Sequence, residues 1–553
     1  MMISHRLKLV ILFFSILELV VYLPFIQRGG FSPADDLLIL DIMSNMGFRF
    51  NDTLDYYFST TMIARPLSMI LRNVEFIVFK NNQLFYILFQ LALWFFSMSL
   101  IASVLKSLIG PRSFWIFFLF SSFPILCSSI IHAPYLAIEY GFPTMFSGLS
   151  LVAFHRYSVN PNILTYIIGY LFSIIAILFS SLVFPLLILA VSLPFLKIFN
   201  NIKNVKIDVL LKLMIKNFAP LFLMGIIFFI YKVFITPFQT GGDLYGFSRI
   251  DMTSVVKAIY YYYVISIEPV LLLLESIRYL NFSFIVFIIF CLVSLFFYSL
   301  RSSYKNGKVL GRKQKMEQFN WPFIYSVMIC LFLCSGIFLI SRQPCVTYGW
   351  YNRIMMPSFI LWSIIVTAII DRFLNTKWLF LIIIVSFLWI FSMKLQVKNF
   401  IQSWELREKI FLDISEQIKL NKQDINVSII ACVPFFLKNN YNNEEVSFGE
   451  EFFSAGLRIY VNPNVKGNPF CWRSVYDKNS YITFPKLPES NKINYSNLWY
   501  YEFVESDEFG SLGRINNEKQ LDDVLENVKE GMINYHPSIF REKIYLYFRS
   551  YFL

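Results

Sequence analysis

The sequence has few charged residues: Asp, Glu, Lys and Arg make up only 15% of its 553 positions, whereas 57% are hydrophobic and 62 are Phe. With a mean hydropathy of +0.57, the chain is excluded from the soluble globular class. Its Cys and His residues do not occur at metal-ligand spacing. Four of the cysteines lie within apolar segments, where Cys usually packs as a small residue: Cys127, Cys291, Cys330 and Cys334. The composition therefore predicts a polytopic membrane protein.

The net charge of +12 does not indicate a nucleic-acid partner. Lys and Arg are concentrated in short connections between apolar runs, which is the pattern that orients spans with basic loops in the cytoplasm. The two most basic connections are 197–216, with five Lys and one Asp, and 301–315, with six basic residues and no acid. Membrane lipid is therefore the expected partner, and nucleic acid is not.

The basic loops predict about eleven membrane-spanning helices, with a cytoplasmic N-terminus and an external C-terminus. Two apolar stretches are divided by polar or helix-breaking residues: 163–196 at Ser180-Ser181, and Val264–Leu274 at Glu268-Pro269. The second is too short to cross and is assigned to an interfacial or re-entrant helix outside. No small-residue cleavage site follows the first apolar run, which is therefore a retained span. The predicted spans are 7–26, 84–105, 114–131, 141–154, 163–179, 182–196, 218–235, 281–300, 322–340, 355–370 and 378–393.

The composition changes near residue 395. Residues 1–395 form the predicted membrane domain, and 396–553 have a soluble composition and are long enough for one small domain. In this region Trp404–Leu420 has the pattern of an amphipathic helix and Ile425–Val433 that of a buried strand. A small extracytoplasmic α/β domain without a catalytic motif is therefore predicted at the C-terminus.

Two adjacent carboxylates, Asp35 and Asp36, follow the first span. Ser32 can cap a helix whose first residue is Pro33, so that Asp35 falls at the third helical position and can reach back to the Ser32 N–H. Asp36 lies about 100° further around the helix and has no capping role. Either carboxylate is a candidate catalytic base, and capping remains the competing explanation for Asp35.

The first predicted outer segment, 27–82, contains two predicted surface helices, 32–46 and 55–79, and Arg65 and Arg72 lie on the second. Arg65 and Arg72 are seven residues apart and share a helical face, and Glu75 is close to Arg72 on the next turn. The guanidinium group presents a fixed fork of donors that matches phosphate oxygens. Arg65 is therefore a candidate phosphate ligand, and a solvated face with one ion pair is the competing explanation.

Other charged residues lie in two short outer loops. Arg342 and Arg353 belong to the loop 341–353, and both are candidate ligands of a donor phosphate. Glu139, in the loop 132–140, is a candidate for orienting the acceptor or a divalent cation such as Mg²⁺ or Mn²⁺. No cofactor is required by this pattern, and no resident metal is predicted.

External carboxylates and external arginines together suit glycosyl transfer from a lipid phosphate. A carboxylate can remove the proton of an acceptor hydroxyl, while Arg65, Arg342 or Arg353 stabilises the departing phosphate. The leaving phosphate needs no general acid because it departs as an anion.

The chain resembles the GT-C family of polyprenyl-phosphate-dependent glycosyltransferases, and within it the serotype-converting O-antigen glucosyltransferases of bacteria and phages. Three short motifs carry the resemblance: Pro33-Ala34-Asp35-Asp36 after the first span, Ala64-Arg65-Pro66-Leu67 on the second surface helix, and Tyr351-Asn352-Arg353 through Pro357 at a late span. The family commonly has Gly where this chain has Ala64.

The resemblance implies a hexosyltransferase of the bacterial cytoplasmic membrane. Its donor is then a sugar, glucose by resemblance, on undecaprenyl phosphate, and its acceptor is a lipid-linked polysaccharide such as an O-antigen repeat. The implied reaction inverts the anomeric carbon, with Asp35 or Asp36 as the base. The residues themselves do not specify the sugar.

Three other functions are compatible with the sequence. A flippase or transporter of lipid-linked oligosaccharides has as many spans but needs ionisable or helix-breaking residues near mid-span, for which Glu18 is the main candidate. An accessory subunit of a polysaccharide machine would act through its external domain. An O-antigen polymerase is related in chemistry but more often has its large external loop in mid-sequence.

Overall fold

The computed structural model describes a discontinuous set of residues. They are 18, 20–30, 40–41, 44–45, 51, 66–80, 82–132, 137–199, 215, 218–227, 252–280, 321–340, 350–373, 379–420, 427–433, 450–461, 465–472, 498–504, 509–517, 519–520 and 523. The predicted span 281–300, most of the predicted span 7–26 and residues 228–235 of the predicted span 218–235 lie outside this set.

Helices dominate the described part of the chain. The helices are α1 (Pro66–Phe79), α2 (Gln83–Leu108), α3 (Ser113–Ser122), α4 (Ser129–His132), α5 (Phe142–Val159), α6 (Ile163–Phe179), α7 (Phe184–Phe199), α8 (Met252–Ser266), α9 (Glu268–Ser276), α10 (Trp321–Ile340), α11 (Met356–Phe373), α12 (Leu379–Leu420) and α13 (Glu450–Tyr460). A π-helical turn, Ala137–Gly141, precedes α5, and 3₁₀ turns occur at Ser181–Val183, Ile277–Tyr279 and Trp350–Met355. Helix α5 packs against α2, α6 and α7 near the centre of the bundle.

Several helices have the length and apolar composition of membrane spans. Among the described residues, three are long enough to cross a bilayer: Gln83–Leu108, Asn352–Arg372 and Ile384–Leu420. Helices α8 and α9 add a fourth crossing if they form one broken span, since they meet at an angle of 44°. The chain is a helical membrane protein, and the total of eleven spans stays a prediction.

Two predicted breaks are confirmed. Helix α6 ends at Phe179, and α7 begins at Phe184 after the 3₁₀ turn that starts at Ser181. Helix α8 ends at Ser266 and α9 begins at Glu268, with Pro269 in its first turn, where a missing N–H costs nothing. Polar and helix-breaking residues thus end these apolar helices where the sequence indicated.

The predicted continuous span 114–131 is wrong. Helix α3 ends at Ser122, and Phe123 adopts φ −118° and ψ 83°, outside the helical region. Pro124 causes the break, because proline cannot donate to the helical ladder and disfavours the helical conformation of the preceding residue. A non-helical segment, 123–128, follows in the buried core before α4.

The last predicted span, 378–393, and the predicted amphipathic helix Trp404–Leu420 belong to one continuous helix, α12, of 42 residues. Its sequence contains neither Gly nor Pro, so nothing in it favours a break near residue 395. The change from apolar to mixed composition therefore occurs within a helix, and the helix links the membrane part to the C-terminal region.

The C-terminal region contains a mixed sheet with the strand order β2-β1-β3-β4. The strands are β1 (Ser428–Val433), β2 (Lys466–Trp472), β3 (Leu498–Val504) and β4 (Phe509–Arg514). Strand β1 runs parallel to β2 and β3, whereas β4 is antiparallel to β3. The predicted strand at Ile425–Val433 is confirmed by β1.

The sheet shares a hydrophobic core with parts of the first outer segment and with the first turn of α2. Leu40, Phe76 and Tyr86 belong to the same buried cluster as Trp404 and Phe411 of α12. Burial of these large apolar side chains fixes the C-terminal region against the membrane part.

Candidate functional site

Segments that the topology assigns to the outside contact one another. Ser68 Oγ of α1 donates a hydrogen bond to the Phe179 carbonyl at 3.0 Å. The side chains of Arg72 and Glu139 form an ion pair between α1 and the π-helical turn. Helix α1, the end of α6 and the π-helical turn therefore lie at one face of the bundle, which we name the Glu139 face.

Segments assigned to the cytoplasm form a second group. Ser107 Oγ lies 2.7 Å from His155 Nε2, which joins the ends of α2 and α5. The Arg372 guanidinium lies 4.6 Å from the centre of the Trp321 ring, which joins the ends of α11 and α10. A Cβ placed on Gly110 would lie 3.1 Å from Asp371 Oδ2. This second group, the Asp371 face, includes none of the segments at the Glu139 face, as the predicted alternation of spans requires.

Four predicted site residues lie outside the described residues: Asp35, Asp36, Arg65 and Arg342. The chain on either side of the Asp35-Asp36 pair is described. A Cβ added to Gly30 would lie 1.9 Å from Cε2 of Trp404, so only glycine allows this approach of the backbone to α12.

On the other side of the acid pair, Asp41 is almost fully buried and binds a C-terminal helix. Arg458 of α13 donates from Nε to Asp41 Oδ2 at 2.8 Å, and its terminal nitrogen lies 2.7 Å from the same oxygen. This ion pair and the contact at Gly30 fix both ends of the segment with the acid pair against the C-terminal region.

A cleft of about 530 Å³ opens beside residues 26–29, where the helical part of the first predicted span ends. Its walls include Gln27 and Gly29 on one side and Asn82 and Gln83, at the start of α2, on the other. The cleft combines polar and apolar surface, and it adjoins the chain that leads to Asp35 and Asp36.

Glu139, the predicted acceptor-orienting residue, is buried in the ion pair with Arg72, and the two side chains are 6% and 1% exposed. The sequence predicted that Glu75 lies close to Arg72 on the same helix, and it did not predict the contact of Arg72 with Glu139. Buried charges require partners, because each loses its hydration in the protein interior. The pair therefore holds the π-helical turn against α1.

The two sides of α1 differ in polarity. Its exposed side is apolar, whereas its buried side holds polar residues, which is the reverse of a surface helix in water. This arrangement is typical of a helix that faces lipid on one side and a polar protein interior on the other. The exposed residues are Ile70, Val74, Ile77 and Val78, and the buried ones are Ser68, Arg72, Asn73 and Glu75.

Side chains from three other helical segments satisfy the carbonyls freed by the break after α3. Tyr22 Oη donates to the Ser122 carbonyl at 2.7 Å, and Trp94 Nε1 to that of Ser121 at 3.0 Å. Trp389 Nε1 contacts the carbonyls of Phe120 and Phe123 at 3.0 and 2.9 Å, and Gln396 Nε2 donates to Ile125 at 3.0 Å. Non-helical backbone is tolerated at membrane depth where protein groups satisfy it in this way.

The residue before Arg353 holds α4 in place. Asn352 Oδ1 accepts hydrogen bonds from Ser129 N at 3.0 Å and Ser129 Oγ at 2.5 Å, and Asn352 Nδ2 donates to Ser128 Oγ at 3.2 Å. Arg353 itself is half-buried on the 3₁₀ turn Trp350–Met355. Since α4 contacts both this turn and the π-helical turn, Arg353 and Glu139 lie on neighbouring elements.

His132, at the end of α4, lies between two aromatic rings. The ring centroids of Phe25 and Phe400 are 5.7 and 4.7 Å from that of the imidazole. Burial lowers the pKa of His132 to about 3, because the charged form would lose its hydration. A neutral histidine packed in this way is a structural element of the outer loop.

The described residues include no group of three His, Cys, Asp or Glu side chains that could hold a metal ion. Glu139 is the one predicted metal-orienting residue, and its carboxylate contacts Arg72.

Comparison with known proteins gave no match to a family model, to a curated protein or to a solved structure.

Proposed function

We propose that this protein is a membrane glycosyltransferase of the bacterial cytoplasmic membrane. It would transfer a sugar, glucose by the resemblance, from undecaprenyl phosphate to a lipid-linked polysaccharide such as an O-antigen repeat, with inversion. The observation that supports the proposal is the packing of outer segments: Arg72 pairs with Glu139, Asn352 binds α4, and Asp41, which follows the segment with Asp35 and Asp36, pairs with Arg458.

In the proposed reaction, Asp36 removes the proton of the acceptor hydroxyl, and the resulting oxygen attacks the anomeric carbon. The bond between this carbon and the phosphate oxygen breaks, and the phosphate leaves as an anion. Arg65, Arg342 and Arg353 bind the phosphate oxygens, since guanidinium groups match them in shape and charge. Glu139 holds Arg72 and the π-helical turn, and through them orients the acceptor side of the site.

A flippase for lipid-linked sugars is the second candidate, because discontinuous helices are common at the substrate sites of transporters. The break at 123–128 and the bend between α8 and α9 are of this kind. The hydrogen bonds that four side chains make to carbonyls around the break favour a structural role, since those groups are no longer available to a transported ion or sugar.

A transfer assay separates the two functions. The purified full-length protein receives a polyprenyl-phosphate sugar labelled in the sugar, together with a crude lipid-linked polysaccharide acceptor. A transferase moves the label from the small lipid into the polysaccharide. Label that changes leaflet and stays bonded to its lipid with every acceptor would refute the transferase and favour the flippase.

The orientation is tested by single-cysteine labelling of spheroplasts with an impermeant reagent. We expect a Cys at position 450 to react and one at position 308 to be protected, because the basic connection 301–315 is predicted inside. The reverse result would place the Glu139 face in the cytoplasm and exclude the proposed site.

A further inference from the structure

The cleft between residues 26–29 and the start of α2 is lined by three residues with carboxamide side chains. Gln27 belongs to one wall, and Asn82 and Gln83 belong to the other. Gln27 and Asn82 are exposed and Gln83 is half-buried, so the cleft is accessible from the surface. Among the described residues of its walls, none is charged. We name this site the amide cleft.

The side chain of Asn82 is not used to cap α2. Asn82 occupies the N-cap position, where an Asn side chain usually accepts a hydrogen bond from a backbone N–H of the first turn. Its side chain makes no such bond here, although its carbonyl accepts from Phe85 N at 3.2 Å. The carboxamide of this wall is therefore not engaged by the helix that it precedes.

Contacts outside the amide cleft hold both walls in place. Tyr86 Oη donates to the Lys80 carbonyl at 2.9 Å and fixes the turn between α1 and α2, where Lys80 has a φ of 48°. On the other wall, Gly29 N donates to the Phe25 carbonyl at 2.6 Å, and a Cβ added to Gly29 would lie 2.3 Å from that oxygen. A site with fixed walls binds its ligand without a large cost of ordering.

The chemistry of the amide cleft favours an uncharged sugar. A carboxamide offers both hydrogen-bond donors and an acceptor, which match the hydroxyl groups of a sugar. A phosphate would find no cation among the described wall residues, since Arg28 does not line the cleft and pairs with Glu405 at 3.8 Å. The volume of about 530 Å³ lies in the range of small-molecule sites. The apolar part of the walls, which can pack against the C–H faces of a sugar ring, consists of Ile26, Leu84 and Ile87.

We propose that the amide cleft binds an uncharged sugar unit of the polysaccharide acceptor. Its assignment to the acceptor rests on the proposed glycosyltransferase function. A donor sugar is bonded directly to its phosphate and would bring that charge to the cleft, whereas sugar units of the acceptor far from its lipid carry none. Asp35 follows Gly30 by five residues, and such a segment spans at most about 18 Å, so the acid pair is within reach of a sugar bound here.

Removal of single amides tests the site in the transfer assay. Gln27→Leu and Asn82→Leu each remove the hydrogen bonds of one wall at similar side-chain size, and both residues are exposed, which makes misfolding a small risk. We expect each variant to raise the KM for the acceptor by about threefold to tenfold, with kcat and the donor KM unchanged. Gln402→Leu on α12 is the matched control, since Gln402 is exposed and does not line the cleft. An unchanged acceptor KM in both variants, or a rise in the donor KM instead, would overturn the assignment.

A binding measurement makes the test independent of catalysis. The probe is the neutral oligosaccharide fraction released by mild acid from the surface polysaccharide of the cells that produce the protein. Saturation-transfer NMR detects its contact with the full-length protein in detergent. We expect contact with the wild type and with Gln402→Leu, and loss of most of the signal in the double variant of Gln27 and Asn82. If this pattern is found and the wild type transfers no sugar, the glycosyltransferase proposal fails and the amide cleft remains a sugar-binding site. Absence of contact with the wild type, or equal contact with the double variant, would refute the amide cleft.

Discussion

The buried ion pair between Arg72 and Glu139 should contribute strongly to the stability of the protein. The side chains are 1% and 6% exposed, so removal of either partner leaves the other charge in a poorly hydrated site. We expect Arg72→Met or Glu139→Met to lower the free energy of unfolding by about 3–5 kcal/mol. The double variant should recover part of this loss, because it leaves neither member of this ion pair buried without the other.

The matched control is the pair between Arg28 and Glu405, whose atoms are 3.8 Å apart and whose side chains are 73% and 50% exposed. Water screens such a pair, so Arg28→Met should change the free energy of unfolding by less than about 1 kcal/mol. Stability is measured by reversible denaturant titration of the purified protein in mixed micelles. Losses below about 1 kcal/mol in both single variants, or a double variant as unstable as their sum, would refute the reasoning.

Three further predictions address the site and its surroundings. Asp36→Asn should abolish sugar transfer without reducing the amount of inserted protein. Asp35→Asn should have a smaller effect on transfer if the Asp35 side chain caps a helix. Normal sugar transfer by the double variant would exclude both carboxylates from the mechanism. Asn352→Ala should lower the free energy of unfolding by about 1–3 kcal/mol in the same titration, because Ser129 N and Oγ lose their buried acceptor. The free energy of unfolding should fall by up to about 1.4 kcal/mol per pH unit as the pH decreases from 6.5 towards 3, because the unfolded chain binds a proton that native His132 cannot accept. His132→Phe should reduce this slope. An unchanged slope in this variant would exclude His132 as its source.

The sequence by itself determined the membrane class and the positions of several breaks. Apolar runs of bilayer length leave no other environment, and Ser180-Ser181 and Glu268-Pro269 interrupt helices through local chemistry that needs no tertiary partner. The strand at β1 was predictable for the same reason, because a short run of β-branched and apolar residues favours extended backbone.

Only the tertiary structure decided which polar groups meet. The closeness of Arg72 to Glu75 follows from helical spacing, whereas its contact with Glu139, 67 positions later, depends on the packing of α1 on the π-helical turn, which excludes water from that side. Pro124 alone did not show that 123–128 would remain in the core; hydrogen bonds from Tyr22, Trp94, Trp389 and Gln396 make its burial tolerable. Sequence patterns fix local conformation and burial, whereas contacts between distant polar groups depend on how the helices pack.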